Sequence, residues 1–386
     1  MEMVREHRKF VVPEIITGEN ARIYAGKYAS NFHSDTVLIA TDTNVFRQKW
    51  ILEILQSLDE AGTEYVIFSD IEPNPRDYNV MAGADVYLSE ECTGILAIGG
   101  GSVLDCAKGI GIVAANGGNI LDYIGVDLVK NPMPPLICVP TTAGSAADVS
   151  QYAVIRNAAK KTKHLIISKS LVPDVTLLDT VPLMTQPVDV TVNSGIDAFT
   201  HAIEAYVSNG ASHFSDMLAL ESIKLSAGFF PFSVDKTDDP DYRFQSLMAS
   251  MYAGIAFSNA GLGLIHAMSH AIGGLYDLPH GIASSIAMRS AIQYNYSSSI
   301  RKYQKIAHIL GVSPDITDDE KVVKGMFEKI MEMRGSIDDS LSLSAYGATE
   351  DDIPDLVARS AGDPCIATNP RIPGQKDLSN MFESLL

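Results

Sequence analysis

The first half of the chain alternates short runs of β-branched and aliphatic residues with longer segments whose apolar residues recur at helical spacing. Four of the short runs predict buried strands: Thr36–Ala40, Tyr65–Phe68, Gly94–Ile98 and Leu136–Val139. Trp50–Ala61 lies between two of them and has the three-to-four-residue periodicity of an amphipathic helix. Alternating strands and helices are typical of βα units, so this half predicts a parallel sheet covered by helices.

From about Pro187 onward, strand signals almost disappear and long segments rich in Ala, Leu, Ile and Met take over. Five of these segments predict helices: Gly195–Val207, Ser215–Gly228, Arg243–Ala256, Leu262–Tyr276 and Lys321–Arg334. Both patterns break in Asp179–Asp189, which holds two prolines, and a polar connection is expected at Asp235–Asp241. The predicted architecture is an α/β domain of residues 1–184 followed by an all-α domain of residues 185–386.

The composition fits an ordinary packed protein. Of the 386 residues, 46% are hydrophobic and 20% are charged, which excludes general disorder. The net charge of −18 opposes binding to nucleic acid or to anionic membranes, so neither partner is expected. The four cysteines form no CxxC pair, which excludes a structural zinc site on cysteines and favours a reducing compartment. The charged first ten residues lack the apolar segment of a signal peptide, and we expect a cytoplasmic protein.

One segment is long and uncharged enough to raise the question of a membrane span. Phe244–Tyr276 contains no Asp, Glu, Lys or Arg. It does contain five glycines together with Gln245, Asn259, His266 and His270, and polar groups are costly in hydrocarbon. The composition therefore predicts helix buried inside the protein.

A glycine-rich turn follows the predicted strand Gly94–Ile98. Gly99, Gly100, Gly101 and Ser102 stand where that strand would pass into a helix. Backbone amides at such a turn, together with the positive end of the helix, form an anion site that would suit a dinucleotide pyrophosphate. The sequence is neither GxGxxG nor a Walker loop. The alternative is a tight turn in which Ser102 caps the helix.

Two further polar sites follow predicted strands. Asp42 comes just after Thr36–Ala40, where a carboxylate can accept hydrogen bonds from an adenosine ribose and would repel the additional phosphate of NADP. It precedes the glycines, whereas the acid of the usual Rossmann fingerprint follows them, so that fold in its usual order is not predicted. Thr141 and Thr142 follow Leu136–Val139 and could bind the same cofactor. A helix cap at Asp42 and a polar turn at the threonines are the alternatives.

Histidines and one aspartate recur at metal-ligand spacing in the helical half. Asp197 and His201 are four residues apart, as are His266 and His270, and His280 follows at a turn. On helices, each pair would project from one face. Three imidazoles and one carboxylate suit Fe(II) or Zn(II), which leaves a fourth histidine for proton transfer. We interpret the other histidines as structural: His7, His33, His164, His213 and His308.

In this order the motifs resemble the iron-dependent (group III) alcohol dehydrogenases, which are related in fold to dehydroquinate synthase and glycerol dehydrogenase. The resemblance spans nearly the whole chain through Asp42, Pro73-Asn74-Pro75, GGGSVLDCAK, PTTAG, GIDAFTHAIEAY, FSNAGLGLIHAMSHAIGG, LPHG and DPCIATNPR. It implies metal ligands Asp197, His201, His266 and His280, with His270 unligated beside the substrate. It implies NAD contacts from Asp42, Gly99, Gly100, Gly101, Ser102, Thr141, Thr142 and Lys163, and a homo-oligomer, most simply a dimer.

The resemblance implies hydride transfer between a small primary alcohol, or its aldehyde, and NAD, with His270 as the proton relay. Phe257 and Gln151 are expected to line the substrate pocket. The chain departs from the family pattern at Ser145, Asp148, Ala271 and Arg289, positions that we expect near the cofactor or the metal. The alternatives are a glycerol or polyol dehydrogenase, a lyase or cyclase like dehydroquinate synthase, and an alcohol-responsive regulatory protein on the same fold.

Overall fold

The computed structural model describes residues 10–229, 238–312, 318–335 and 340–386. The charged N-terminus and His7, and the first part of the expected polar connection at Asp235–Asp241, lie outside the described residues.

The N-terminal part contains two sheets. Their strands are β1 (Glu14–Thr17), β2 (Thr36–Ala40), β3 (Glu64–Phe68), β4 (Gly94–Gly99), β5 (Gly125–Val126), β6 (Leu136–Pro140), β7 (Tyr152–Asn157), β8 (Thr162–Ile167) and β9 (Val175–Leu178). Within residues 10–229, six strands form a parallel sheet in the order β1-β9-β6-β4-β2-β3. The remaining three, in the order β5-β8-β7, form a small sheet whose β7–β8 pair is antiparallel.

Helices cover the large sheet on both faces, as the alternating pattern predicts. Those in this part of the chain are α1 (Ala25–Asn31), α2 (Thr43–Phe46), α3 (Ile51–Ala61), α4 (Asp77–Ser89) and α5 (Gly101–Asn116), with 3-10 turns at Ala21–Tyr24, Ile120–Tyr123 and Lys169–Leu171. Because successive strand residues face opposite sides, Val37 and Ile39 of β2 pack in one core with α1 and α3. Leu38 and Ala40 pack in the other core with α4 and α5.

The C-terminal part is helical. Its helices are α6 (Thr180–Met184), α7 (Val188–Val207), α8 (His213–Phe229), α9 (Pro240–Ala260), α10 (Leu264–Tyr276), α11 (His280–Tyr296), α12 (Ile300–Ile309), α13 (Asp319–Arg334), α14 (Ile353–Ala361) and α15 (Gln375–Glu383), with 3-10 turns at Leu343–Tyr346, Glu350–Asp352 and Pro364–Thr368. The predicted α/β part followed by an all-α part is confirmed. The division at residues 184 and 185 stays a prediction, although α6 and the start of α7 do fall in Asp179–Asp189.

The uncharged run Phe244–Tyr276 lies in two helices, α9 and α10, most of whose residues are buried. The prediction that this run packs inside the protein is therefore correct. α9 ends where Gly261 takes a φ of +83°, a left-handed value that favours glycine, and α10 restarts at Leu264. Among the described residues, no single helix is long and apolar enough to cross a membrane. α9 and α10 together meet the length and composition criteria, but they are bent by 102°.

Candidate active site

A cleft opens at the carboxyl ends of the parallel strands, at the point where successive strands are added to opposite sides of the sheet. From β2 the chain proceeds outward to β3, whereas from β4 it proceeds to β6 and β9 on the other side. Ligands of open α/β sheets bind at such a switch point, which lies here between β2 and β4. The cleft has a volume of about 1120 Å³, and the helical part of the chain forms its opposite wall. This volume exceeds that of a pocket for one drug-sized ligand, so a dinucleotide and a small substrate can share it.

The glycine-rich turn is open at the N-terminus of α5. This helix begins at Gly101, and its first turn receives no side-chain cap from Gly100. Ser102 does not cap it either: its Oγ accepts a hydrogen bond of 3.1 Å from the backbone N–H of Asn74. The alternative of a serine-capped turn is therefore wrong. Gly100, Gly101 and Ser102 line the cleft, and because the first amides of a helix have no intrahelical acceptor, this turn can receive an anion.

Close packing explains why glycines stand at this turn. A Cβ at Gly101 would lie 2.6 Å from Oγ of Ser145, and one at Gly100 would lie 3.1 Å from Cγ2 of Thr142. Gly100 and Gly101 line the cleft, whereas Gly99 lies beneath it, where a Cβ would meet Val103. At Gly100 and Gly101, two of the three predicted glycines, the backbone can therefore come close to a ligand in the cleft.

Asp42 is both a helix cap and a residue of the cleft. Its Oδ1 accepts from the backbone N–H groups of Asn44 and Val45 at 2.9 and 3.0 Å, which caps α2. Its Oδ2 has no hydrogen-bond partner in the described part of the chain. The cap alternative is therefore confirmed as a structural role, and one oxygen remains available for a ribose hydroxyl.

The remaining predicted cofactor residues also line the cleft. Thr141 and Thr142 follow β6 beside the glycine turn, and Lys163 projects from β8. Burial lowers the pKa of Lys163 to about 8, against the opposing effect of the Asp277 and Asp197 carboxylates. Lys163 thus places an amino group in the cleft that the predicted metal ligands also line, within electrostatic range of Asp197.

The four predicted metal ligands converge at the inner end of the cleft. Asp197 and His201 share one face of α7, His266 comes from α10, and His280 is the first residue of α11. Their ligand atoms all lie within 4.8 Å of one another. Oδ1 of Asp197 is 3.9 Å from Nε2 of His266 and 3.4 Å from Nε2 of His280.

The donor set fits a divalent ion. Within the described part of the chain, Oδ1 of Asp197 and Nε2 of His266, 3.9 Å apart, are buried without a hydrogen-bond partner, a costly state that a shared cation would relieve. Burial and the neighbouring charge of His266 hold the pKa of His201 well below its usual value. The same two effects lower the pKa of His280, and neutral imidazoles are the form that binds metal. Burial raises the pKa of Asp197 to about 6.

Glu204 supports this centre and was missed by the sequence analysis. Oε2 accepts from Gly263 N–H at 3.0 Å and lies 2.6 Å from Nδ1 of His266, while Oε1 accepts from Ile265 N–H at 2.6 Å. Burial alone would lower the pKa of His266, but this carboxylate raises it above the usual value. Glu204 lies one turn beyond His201 on α7, and that spacing is the signal that could have identified it.

His270 lies beside the four-residue cluster rather than within it. Its ring lines the cleft and stacks on His280 with a centroid distance of 5.4 Å. Nδ1 lies 2.8 Å from Oδ2 of Asp363. Phe257 also lines the cleft and stacks on His201 at 4.4 Å, as expected for a pocket wall.

Several expected positions lie elsewhere. Gln151 does not line the cleft; its side chain donates to the backbone carbonyl of Ser258. Asp148 is buried and accepts from Thr176 at 3.2 Å, and burial raises its pKa. Arg289 is exposed on α11 over the ring of Phe327, so the expectation that it lies near the metal is wrong. Ser145 does lie against the cofactor turn, and Ala271 is buried in α10.

Asp277 is a second residue that the sequence analysis missed. It ends α10 with a φ of +56° and lies three residues before His280. Oδ2 pairs with Arg76 at 2.8 Å, and Oδ1 accepts from Nδ2 of Asn74 at 2.8 Å. These contacts join the loop that carries His280 to the glycine side of the cleft.

Comparison with known proteins agrees with this geometry. The sequence profile described as "Iron-containing alcohol dehydrogenase" matches residues 13–180, and the profile of the C-terminal part of the Fe-containing alcohol dehydrogenase family matches residues 191–386. The chain is 34% identical to 1,3-propanediol dehydrogenase of Citrobacter freundii, over 95% of this chain and 93% of that protein. It is 33% identical to NAD-dependent methanol dehydrogenase of Bacillus methanolicus, over 98% and 99% of the two chains.

Solved structures of alcohol dehydrogenases and related oxidoreductases are also similar to this chain. A crystal structure of 1,3-propanediol oxidoreductase superposes with a TM-score of 0.91 at 33% identity, covering 99% of this chain and 100% of that one. An alcohol dehydrogenase from Oenococcus oeni has a TM-score of 0.92 at 29% identity and covers 98% and 100%.

Proposed function

The chain belongs to the iron-containing alcohol dehydrogenase family, and from that premise we propose that Asp197, His201, His266 and His280 hold its divalent ion at the inner end of the NAD cleft. The protein is an oxidoreductase that links a small alcohol, or its aldehyde, to NAD. The observation that carries the site assignment is the convergence of four ligand atoms within 4.8 Å, among residues that include the unpaired buried atoms Oδ1 of Asp197 and Nε2 of His266.

The experiment that tests the proposed function is anaerobic reconstitution with Fe(II). Metal analysis should find one ion per chain, and a panel of short alcohols, aldehydes, glycerol and other polyols should show turnover by the absorbance of NADH. Faster turnover of polyols than of simple alcohols would favour the polyol alternative. Absence of turnover across the whole panel would favour the regulatory or lyase alternatives.

The residues of this chain divide the work along the cleft. When bound, the divalent ion supplies Lewis acidity to the substrate oxygen, and NAD supplies the hydride acceptor. When NAD is bound, the amides at Gly100, Gly101 and Ser102 would hold its pyrophosphate, and Thr141, Thr142 and Lys163 would contact the rest of the cofactor. Phe257 forms an apolar wall that excludes water beside the centre. His270 moves the hydroxyl proton through the ring nitrogen that Asp363 does not hold.

Replacing Asp42 by glycine should relax a preference for NAD over NADP. A carboxylate 4 Å from a 2′-phosphate is repelled by about 1 kcal/mol in water and about 4 kcal/mol near a protein surface, so we expect the NADPH-to-NADH ratio of kcat/KM to rise on the order of ten-fold or more. The measurement is initial rate against each cofactor with one aldehyde.

Because Asp42 also caps α2, the matched variant is Asp42→Asn, which keeps the cap and removes the charge. Both variants should relax the preference. A wild-type enzyme that uses NADPH as well as NADH would show that the role proposed for Asp42 is wrong.

Replacing Glu204 by glutamine should weaken metal binding. In glutamine one carboxylate oxygen becomes an NH₂ group, which cannot accept from the backbone N–H of Gly263 or Ile265, and the charge that orients Nδ1 of His266 is lost. Losing such an outer partner costs about 10–100-fold in metal affinity. Competition with a chromophoric chelator measures the dissociation constant of Co(II) or Zn(II). Glu221→Gln, on the exposed surface of α8, is the matched control. Equal metal affinity in Glu204→Gln and wild type would contradict the role.

We also propose a cytoplasmic homo-oligomer. All four cysteines are buried free thiols, which supports a reducing compartment. β1 is an edge strand of the large sheet, and beside it Phe10 and Val12 are 37% and 45% exposed, with Phe214 against Phe10. An edge strand beside apolar side chains can pair with a second copy. Sedimentation of the purified protein measures the assembly.

A further inference from the structure

Two histidines on one face of α10 each direct Nδ1 at a buried carboxylate. His266 faces Glu204 at 2.6 Å, and His270, one turn later, faces Asp363 at 2.8 Å. The first carboxylate supports a proposed metal ligand. The second supports a histidine that is outside the four-residue cluster, so its purpose is not explained by metal binding.

Asp363 is fixed by more than its contact with His270. It is the N-cap of the 3-10 turn Pro364–Thr368, where Oδ1 accepts from the backbone N–H of Cys365 at 2.8 Å. Oδ2 is thereby turned to His270, and the two side chains are only 5% and 4% exposed. Burial alone would raise the pKa of Asp363, but the interaction with His270 lowers it below the usual value, so the carboxylate is ionised and can only accept hydrogen bonds.

A second metal ion on His270, Asp363 and Cys365 is the competing interpretation, because their ligand atoms also lie within 4.8 Å. The hydrogen bonds oppose it: both oxygens of Asp363 are engaged at 2.8 Å. Burial and the contact with the Asp363 carboxylate also raise the pKa of the Cys365 thiol well above its usual value, so in this structure the side chain is a protonated thiol. The group is a hydrogen-bonded cluster.

We propose that Asp363 is a positioning residue that fixes the Nδ1–H tautomer of His270 and so presents Nε2 to the reacting oxygen. A neutral imidazole has one N–H, and an ionised carboxylate requires that it be on Nδ1. Nε2 forms no hydrogen bond with the described residues, and the ring lines the cleft. The inference rests on the proposed function, in which His270 exchanges a proton with the substrate.

Asp363→Asn is the decisive variant. Asparagine caps helices as well as aspartate does, and the N–H of Cys365 will select its amide oxygen. The amide NH₂ then faces Nδ1 of His270, which must become an acceptor and carry its proton on Nε2. ¹⁵N NMR of the histidine-labelled, Zn(II)-loaded protein should show this change of tautomer, with the resonance assigned from His270→Ala. Metal content and NADH binding should stay at wild-type values, while kcat falls on the order of 10²-fold.

A double-mutant cycle separates positioning from a general structural effect. In the His270→Ala background, adding Asp363→Asn should change kcat by less than two-fold or so, because the two residues act as one unit. Asp363→Ser, which keeps the cap but is too short to reach His270, is the second variant and should yield a mixture of tautomers. The proposal would be overturned if the loss of kcat in the double variant equalled the product of the losses in the two single variants. It would also be overturned if the tautomer of His270 were unchanged in both Asp363→Asn and Asp363→Ser. Wild-type turnover in His270→Ala would instead contradict the proposed proton transfer, and the NMR measurement would still decide the role of Asp363.

Discussion

His266→Ala and His280→Ala will each empty the metal centre and abolish alcohol oxidation. Each substitution removes one of the four ligand atoms that converge on the ion. The buried, unpaired oxygen of Asp197 then has one metal ligand fewer beside it. The loss should exceed the roughly 10–100-fold in metal affinity that follows removal of an outer partner. Metal content per chain after anaerobic loading, together with NADH formation, measures both effects.

His213→Ala is the matched control for the ligand variants, because His213 is exposed at the start of α8 and lies outside the cleft. It should keep full metal content and turnover. Circular dichroism should show that the ligand variants retain their helices, because the buried Glu204 carboxylate keeps its backbone partners Gly263 and Ile265 when His266 is removed. Full metal occupancy in both ligand variants would rule out the four-ligand centre.

His270→Ala will lower turnover by about 10²–10⁴-fold and leave the metal in place. His270 lines the cleft and stacks on His280, but its Nδ1 is held by Asp363 and it is outside the four-ligand cluster. NAD binding should also remain near the wild-type value, because the cofactor turn is formed by other residues. Metal analysis, cofactor titration and kcat distinguish this outcome from that of the ligand variants.

Alanine at position 270 would leave Oδ2 of the buried Asp363 carboxylate without a partner, which is itself costly. His270→Asn is therefore the matched variant: its amide can donate to Asp363 but cannot transfer a proton at neutral pH. His164→Ala, which alters a half-buried histidine outside the cleft, is the control and should keep its activity. Loss of metal from His270→Ala would place this residue among the ligands, and unchanged turnover would return it to a structural role.

Some elements of the fold and of the site are encoded in a single local pattern of residues. The run Thr36–Ala40 is a strand with the predicted bounds, and the i, i+4 spacing of Asp197 and His201 does place both on one face of α7. β1, whose sequence EIIT has only two apolar residues, and β9, whose run VTLL is interrupted by Thr176, were missed. β7 and β8 belong to the small sheet, and neither was predicted as a strand from the sequence.

The sequence by itself determined the order of α/β and helical parts, the glycine turn and the types of side chain available for a metal, because each depends on residues that are neighbours along the chain. Only the tertiary structure decided that Glu204 supports His266 and that Asp363 holds His270 across 93 residues of sequence. It also decided that Arg289 is exposed and that Asp42 caps a helix while lining the cleft. Hydrogen bonds and burial depend on which segments meet in three dimensions, and spacing along one segment carries no information about its distant partner.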